Sequence, residues 1–120
     1  MIYADSLTKG NIGEKLAANY VIKKGYAIIS RKYHSRYGEI DIIARDNETI
    51  VFIEVKNYSI INLLNPREAI FLKKRKRIIQ TARIFLCANG FHGFNCRFDV
   101  VAITSVNRKY EIEYIENAFS

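Results

Sequence analysis

The sequence contains no apolar run long enough to cross a bilayer, and its first ten residues lack the basic-then-apolar order of a secretory signal. It has two cysteines, Cys87 and Cys96, whose number and spacing fit neither a disulfide scaffold nor a zinc site. It also has no internal repeat, low-complexity tract or linker. These absences predict a cytoplasmic protein with no membrane partner, folded as one domain over residues 1–120.

The chain does carry an excess of positive charge. It has 19 Lys and Arg against 12 Asp and Glu, a net charge of +7 at pH 7, while 49% of its residues are apolar. The apolar fraction is typical of a globular domain with a hydrophobic core. The excess basic charge favours a polyanionic partner such as nucleic acid, although many basic proteins bind none.

Two helical segments and five strand-like segments follow from the hydrophobic periodicity. The first helix is predicted over 7–24 and ends at Gly25; the second has Asn65 as its N-cap and Pro66 at its first position, and it ends near Ala88. The strands are predicted at 26–33, 39–45, 49–56, 97–104 and 110–116. This order predicts an α/β fold in which helices flank a mixed sheet.

The second and third strands carry acids where a sheet core would favour hydrophobic residues. If the turn is centred on Asn47–Glu48, Asp41 lies across from Glu54, and Glu39 lies across from Lys56. We expect a four-residue loop there, because Asn-Glu is not a favoured two-residue turn. Side-chain alternation places these four charged residues on one face of the sheet. The opposite face is predicted to hold Ile40, Ile42, Ala44, Val51, Ile53 and Val55.

Two facing carboxylates repel each other unless they share a proton, bind a cation or stay solvated. One interpretation is a solvated sheet end, where Lys56 and nearby arginines neutralise the acids. The other is a divalent metal site, because carboxylate oxygens are ligands that suit Mg²⁺ or Mn²⁺. Lys56, two residues after Glu54, could then orient a water molecule. The second interpretation predicts phosphodiester hydrolysis.

The set Asp41, Glu54 and Lys56 resembles the core motif of the PD-(D/E)xK nuclease superfamily, and the order of elements resembles its restriction-endonuclease-like αβββαβ core. Almost the whole chain resembles, more closely, the YraN family of predicted endonucleases. Seven blocks carry that resemblance: GNIGEKLAANYVIKKGY, GEIDIIARD, VFIEVK, EAI, KRIIQTARIFL, CRFDVVAIT and IEYIENAF. Two positions depart from the usual pattern, since Ile40 replaces the proline and Tyr58 stands where an arginine is usual.

The resemblance implies a catalytic and metal-binding role for three side chains. Asp41 and Glu54 would ligate Mg²⁺ or Mn²⁺, with the carbonyl of Val55 as a further ligand, and Lys56 would serve the attacking water. Glu14 matches an acid on the first helix that belongs to the catalytic site in related Holliday-junction resolvases. A buried glutamate paired with a basic neighbour is the alternative for Glu14.

The resemblance also matches Glu39 to a Gly-Glu-x-Asp block. Glu39 is either an acid that supports the metal ligands or the cross-strand partner of Lys56, and we favour the second interpretation. In the block around Phe98, Arg97 and Asp99 are predicted to form an ion pair that fixes a loop.

The basic run KKRKR, residues 73–77, is longer than one helical turn and cannot form a single patch. Lys74 and Arg75 fall within the apolar stripe that begins at Phe71, so one of them is predicted to reach a bound phosphate. We favour Lys74, which matches a lysine of the YraN family; the alternative is a side chain that extends past the core into solvent. The other basic residues are expected to face solvent: Lys73, Lys76 and Arg77.

Three tyrosines flank the acidic pair: Tyr33, Tyr37 and Tyr58. They could stack on unpaired bases, although tyrosines at strand ends also serve as packing residues.

The leading hypothesis is a metal-dependent endonuclease acting on DNA, including branched DNA. One rival is a nucleic-acid-binding module of the same fold without turnover, and another is an interaction protein whose charge is incidental. Cleavage of branched DNA needs two sites, so analogy with the resolvases predicts a homodimer.

Overall fold

The computed structural model describes the backbone of residues 2–59 and 66–119 and the side chains of residues 12–57 and 74–119. Its helices and strands follow the predicted order, and α1 begins several residues earlier than the periodicity indicated. The predicted cap Asn65 lies outside the described residues. The elements are α1 (Ile2–Lys23), β1 (Ala27–Ser35), β2 (Gly38–Asp46), β3 (Thr49–Ser59), α2 (Pro66–Ala88), β4 (Asn95–Val106) and β5 (Lys109–Phe119).

The first helix ends at the glycine that the sequence indicated. Gly25 has a φ of +94°, its N–H donates to the Ile22 carbonyl at 2.9 Å, and the N–H of Tyr26 donates to the Val21 carbonyl at 3.3 Å. These two bonds satisfy carbonyls that the end of a helix leaves without partners. Gly90, with a φ of +73°, follows the end of α2 in the same way.

The five strands form one mixed sheet in the order β1-β2-β3-β4-β5. The central pair β3 and β4 is parallel, and the other neighbouring pairs are antiparallel. The parallel pair requires a crossover connection, and α2 lies within it. A five-stranded mixed sheet with two helices confirms the predicted α/β fold and is consistent with a restriction-endonuclease-like core.

The register of the β2–β3 hairpin agrees with the prediction over its paired part. Ile42 pairs with Ile53 and Asp46 pairs with Thr49, so the position numbers sum to 95 in both pairs. The predicted four-residue loop is wrong, because only two residues separate the strands. Asn47 makes the shorter turn possible by adopting a φ of +55°, a conformation that asparagine tolerates better than most residues.

Two apolar cores cover the two faces of the sheet. Ala17, Ala18 and Val21 of α1 pack against one face together with Ile42, Ala44, Val51, Ile53 and Val55. Ile78, Ala82 and Phe85 of α2 pack against the other face together with Ile40, Ile43, Ile50 and Phe52. Burying each of these large side chains contributes about 1.5–3 kcal/mol before the loss of conformational entropy.

The prediction of which face of the sheet each residue occupies is wrong for Ile40. Strict alternation would place it with Ile42, whereas it packs on the α2 side with Ile43. The alternation is broken between Ile40 and Ile42, where β2 has no backbone partner in β3.

Neither helix combines the length and apolarity needed to cross a membrane, as judged over the residues that the structure describes.

Candidate metal and nucleic-acid site

The ladder between β2 and β3 stops just before the acidic pair. Backbone pairing ends at Ile42 and Ile53, one residue before Asp41 and Glu54 would pair through their main chains. Beyond that point a side chain connects the two strands, because the main-chain N–H of Val55 donates a hydrogen bond of 2.8 Å to Oδ2 of Asp41. The Asp41 carboxylate is therefore held in place by β3 although the residue belongs to β2.

A cavity of about 300 Å³ opens beside this pair of strands, on the side covered by α2. Its volume lies at the lower end of the roughly 300–1,000 Å³ typical of ligand-binding clefts. Both acids of the predicted pair line it, and basic residues of α2 line it from the other side. The lining residues are Tyr37, Gly38, Glu39, Asp41, Glu54, Lys74, Arg77 and Ile78.

Glu54 is almost fully buried, with 8% of its surface exposed. Burial, a hydrogen bond to Asp41 and the charge of Asp41 raise the pKa of Glu54 to about 9, against the opposing charges of Lys56 and Lys74. At pH 7 Glu54 is therefore protonated and hydrogen-bonded to Asp41. A cation bound between the two acids could replace the proton that they share.

Lys56 and Lys74 place two amines next to the acids. Burial and the contact with the Lys74 amine lower the pKa of Lys56, while the charges of Glu54 and Asp41 act in the opposite direction. Lys74 lines the cavity, whereas Lys56 lies beside its lining residues. The predicted grouping of Asp41, Glu54 and Lys56 is thus present, with Lys74 as a fourth member.

Glu39 lines the cavity but does not pair with Lys56 as we favoured from the sequence. Its carboxylate lies 3.4 Å from Nε2 of His34, which is also its backbone partner in β1. The extrapolated register fails here because the β2–β3 ladder has already ended at Ile42. A supporting role of Glu39 toward the other two acids stays a prediction.

Glu14 does not line the cavity. Its carboxylate lies 3.6 Å from the Lys32 amine, which is the pairing with a basic neighbour that was one of its two interpretations. Lys32 lies in β1 between Arg31 and Tyr33, the partners of Ile42 and Ile40 in β2. A catalytic role for Glu14 stays a prediction.

The candidate nucleic-acid-binding residues separate in the structure. Lys74 lines the cavity, whereas the guanidinium carbon of Arg75 lies 6.0 Å from the ring centroid of Phe119 at the end of β5. Lys74 is therefore the nearer of the two to the acids, and its contact with a phosphate stays a prediction. The side chains of Tyr58, Phe71 and Lys73 lie outside the described residues.

The prediction that Arg77 faces away from the acids is wrong, because Arg77 lines the cavity together with Lys74. The two residues are three positions apart and therefore share one face of α2. That spacing was the signal in the sequence that could have identified Arg77. Lys76 is exposed and does not line the cavity, as predicted.

A second cavity, of about 460 Å³, lies between α2 and strands β4 and β5. It is larger, but its described lining contains no carboxylate, so its chemistry does not suit a metal site. Its lining residues are Ile79, Ala82, Arg83, Leu86, Cys96, Arg97, Phe98, Asn117 and Phe119.

Within residues 12–57 and 74–119, no group of three or more His, Cys, Asp or Glu side chains is arranged to hold a metal ion. Three acids line the cavity, but Glu39 lies 3.4 Å from Nε2 of His34, so the donors that face each other there are the carboxyls of Asp41 and Glu54. Mg²⁺ is commonly held by one or two carboxylates, with water and substrate oxygens completing its shell, so this donor set fits such an ion.

Comparison with known proteins places this chain in a family. The model of "Uncharacterised protein family UPF0102" matches residues 13–103. The chain belongs to the UPF0102 family. A UPF0102 protein of Prosthecochloris aestuarii is 44% identical over 116 residues, covering 92% of this chain and 91% of the relative. UPF0102 proteins of Alkaliphilus oremlandii (45% identical; 92% of this chain, 96% of the relative) and Persephonella marina (42% identical; 95% of each chain) are also similar.

The UPF0102 match spans every residue that lines the first cavity. It also spans the predicted pair of Arg97 and Asp99, which the structure confirms as an ion pair with an Nε–Oδ1 distance of 3.0 Å. Asp99 is fully buried and also accepts hydrogen bonds from the Tyr114 hydroxyl and the N–H of Asn117. The pair therefore joins β4 to β5 and lies apart from the first cavity.

Proposed function

We propose that the chain is a metal-dependent nuclease of the PD-(D/E)xK superfamily, close to the YraN family, that hydrolyses DNA phosphodiester bonds in the cytoplasm. The observation that carries this proposal is the meeting of the Asp41 and Glu54 carboxyls in one cavity. Lys74 lines the same cavity and Lys56 lies beside it, close enough for both amines to act on Glu54. Carboxyls that could hold a divalent ion, beside amines that could stabilise charge on a phosphate, suit metal-assisted phosphodiester hydrolysis.

The two acids suit Mg²⁺ or Mn²⁺ as the cofactor. Glu54 keeps its proton because it is buried from water and because Asp41 is its neighbour. A divalent cation would neutralise the negative charges of both carboxylates. It would also lower the pKa of a water molecule for attack on phosphorus. Asp41 and Glu54 would hold this ion, and the Val55 carbonyl is the further donor suggested by the resemblance.

The remaining residues would position the phosphate. The Val55 N–H orients Asp41, so the carboxylate does not need to reorganise when the substrate binds. The ammonium groups of Lys56 and Lys74 would donate hydrogen bonds to phosphate oxygens or to the attacking water. Arg77 lies one helical turn from Lys74, and its guanidinium would contact a further phosphate of the bound nucleic-acid strand.

A cleavage assay with matched variants tests the proposal. Single-stranded, duplex and branched DNA are incubated with the protein in Mg²⁺ or Mn²⁺, and we expect Asp41→Asn and Lys56→Ala to abolish cleavage. Glu48→Gln, in the β2–β3 turn, and Lys76→Ala, on the exposed side of α2, remove equal charge outside the cavity and should cleave normally. Cleavage that survives Asp41→Asn would contradict the assignment.

The second candidate is a nucleic-acid-binding module of the same fold without turnover. It is favoured by the presence of only two facing carboxyls, rather than a group of three, among the described residues. Salt-sensitive DNA binding without bound Mn²⁺ and without cleavage would support it over the nuclease.

For branched DNA we also propose a homodimer, because cutting such a substrate requires two sites. Light scattering of the protein alone and bound to a four-way junction measures the number of chains. A single chain per junction would contradict the dimer without bearing on the nuclease chemistry.

A further inference from the structure

One tyrosine ring stands at the rim of the first cavity. Tyr33 is not available there, since its ring packs edge-on against Phe85 with the centroids 5.1 Å apart. Tyr37 lines the cavity and is half-buried. Of the flanking tyrosines whose side chains are described, Tyr37 is therefore the one positioned to meet a ligand.

Tyr37 is held in position from two sides. The Arg36 guanidinium lies over the Tyr37 ring, with its central carbon 4.9 Å from the ring centroid, and Nη2 of Arg36 donates a hydrogen bond of 2.7 Å to the Tyr37 hydroxyl. The main-chain N–H of Tyr37 donates to Oγ of Ser35 at 3.0 Å. The Ser35 hydroxyl is in turn hydrogen-bonded at 2.7 Å to the hydroxyl of Thr81, which is fully buried in α2. The turn that carries the ring is thus tied to the helix that carries the basic residues of the cavity.

The wall opposite the acids offers two cations and an apolar surface. Lys74 and Arg77 are one helical turn apart, and Ile78 beside them lines the same cavity. Arg77 forms no ion pair or hydrogen bond with the described part of the chain, so its guanidinium is available to an anion. A guanidinium matches two phosphate oxygens at once, which an amine cannot do.

We propose that this cavity binds one unpaired nucleotide of a single-stranded segment, with the base against Tyr37 and the flanking phosphates on Lys74 and Arg77. This inference rests on the proposed function and narrows its substrate to nucleic acid with unpaired nucleotides at the cleaved bond. A space of about 300 Å³ is of small-molecule size. The bases of a duplex stay stacked inside the helix, so a duplex could place only its phosphates in this cavity. An unpaired base, in contrast, can enter and stack on an aromatic ring.

Binding measured without cleavage tests the role of the ring. Fluorescence anisotropy in EDTA compares a labelled oligothymidylate strand with a duplex of equal length. We expect Tyr37→Leu to weaken binding of the single strand about 10-fold, as the loss of one base–aromatic stack should, and to leave duplex binding unchanged. Tyr37→Phe keeps the ring and should bind the single strand as the parent protein does.

Tyr110→Leu is the matched control, since Tyr110 is a 42% exposed tyrosine on β5 that does not line the cavity. It should bind both ligands normally. If Tyr37→Leu lowers single-strand binding no more than Tyr110→Leu does, or lowers binding of both ligands equally, the assignment of the base to Tyr37 is overturned.

The salt dependence of binding tests the phosphate contacts. Each lost contact lowers the slope of log K against log salt by about 0.7 for a single strand, so Arg77→Ala and Lys74→Ala should each reduce it by that amount. Lys76→Ala removes the same charge from the exposed side of α2 and should leave the slope unchanged. Equal effects of all three variants would mean that only net charge matters.

Cleavage separates this inference from the proposed function. If Asp41-dependent cleavage cuts fully paired DNA as fast as single strands, the substrate inference fails while the nuclease proposal stands. If no DNA is cut and Tyr37→Leu still loses single-strand binding selectively, the nuclease proposal fails while the nucleotide site stands.

Discussion

The main-chain N–H of Val55 is hydrogen-bonded to the carboxylate of Asp41 at 2.8 Å, between two strands whose backbone pairing has already ended. An acid of β2 is thereby fixed by a donor of the central strand β3, and Val55 itself is anchored in the α1-side core. The position of Asp41 consequently depends on how β3 is packed. Changes that move β3 are expected to move the acid that faces Glu54.

The first prediction concerns the pH dependence of stability. The pKa of Glu54 is about 9 in the folded chain and 4.5 ordinarily, so between these values the unfolded chain releases a proton that the folded chain keeps. Stability of the parent protein therefore falls as pH rises through this window. Glu54→Gln cannot ionise and can still hydrogen-bond Asp41, so we expect it to gain roughly 1–4 kcal/mol over the parent near pH 8 and nothing near pH 4.

Urea unfolding across this pH range measures the effect. Glu48→Gln, an exposed acid in the turn, should show no pH-dependent difference from the parent. A constant gain for Glu54→Gln at every pH would point to packing rather than ionisation.

The second prediction concerns metal binding without any substrate. Mn²⁺ at ten times its Kd should stabilise the protein by about 1.4 kcal/mol, which raises the Tm by several degrees. Asp41→Asn should lose this rise, while Asp46→Asn, at the far end of the same strand, should keep it. Equal rises for all three proteins in thermal melts would place the ion elsewhere, and EDTA should reverse any specific rise.

The third prediction concerns the contact between α1 and the end of β3. A Cβ added at Gly13 would clash with Oδ1 of Asn57, the residue after Lys56, and would lie 2.7 Å from its Cγ. Gly13→Ala should therefore destabilise the protein by about 1–2 kcal/mol despite its better helix propensity. Adding Asn57→Ala should restore stability, and thermal or urea unfolding measures both variants.

Gly93→Ala is the control for that change, because a Cβ there meets no atom within 4 Å. It should be nearly neutral. A destabilisation of Gly13→Ala that persists in the double variant would show that the clash with Asn57 is not its cause.

The fourth prediction concerns the buried pair outside the cavity. Asp99→Asn leaves the Arg97 guanidinium without its buried counter-charge, so we expect a loss of about 3–5 kcal/mol. Glu116→Gln removes an exposed carboxylate 3.8 Å from the same guanidinium and should cost less than about 1 kcal/mol. Unfolding by urea compares the two; a similar loss for both would mean that burial of Asp99 adds nothing.

The sequence was sufficient for the fold class and for the central residues of the candidate site. Side-chain alternation and a turn centred on Asn47–Glu48 define the hairpin register, and the register brings Asp41 toward Glu54. These are local properties, since each is set by residues that are neighbours along the chain or across one turn. The metal, the reaction and the DNA partner are still predictions that rest on this geometry.

Several contacts of the site could not be read from local pattern. Ile40 and Glu39 depart from the expected faces because alternation holds only while the ladder is paired, and the pairing ends at Ile42. Nothing in the hairpin itself shows where a ladder will stop.

What the amino-acid order determined by itself is therefore the pairing of β2 with β3 and the approach of two acids, because side-chain alternation and turn chemistry act over short distances. What only the tertiary structure decided is which side chains enclose them. The rotation of α2 on the sheet is set by the packing of Ile78, Ala82 and Phe85 into a core made of distant strands. That packing turns Arg77 toward the cavity and leaves Arg75 over Phe119.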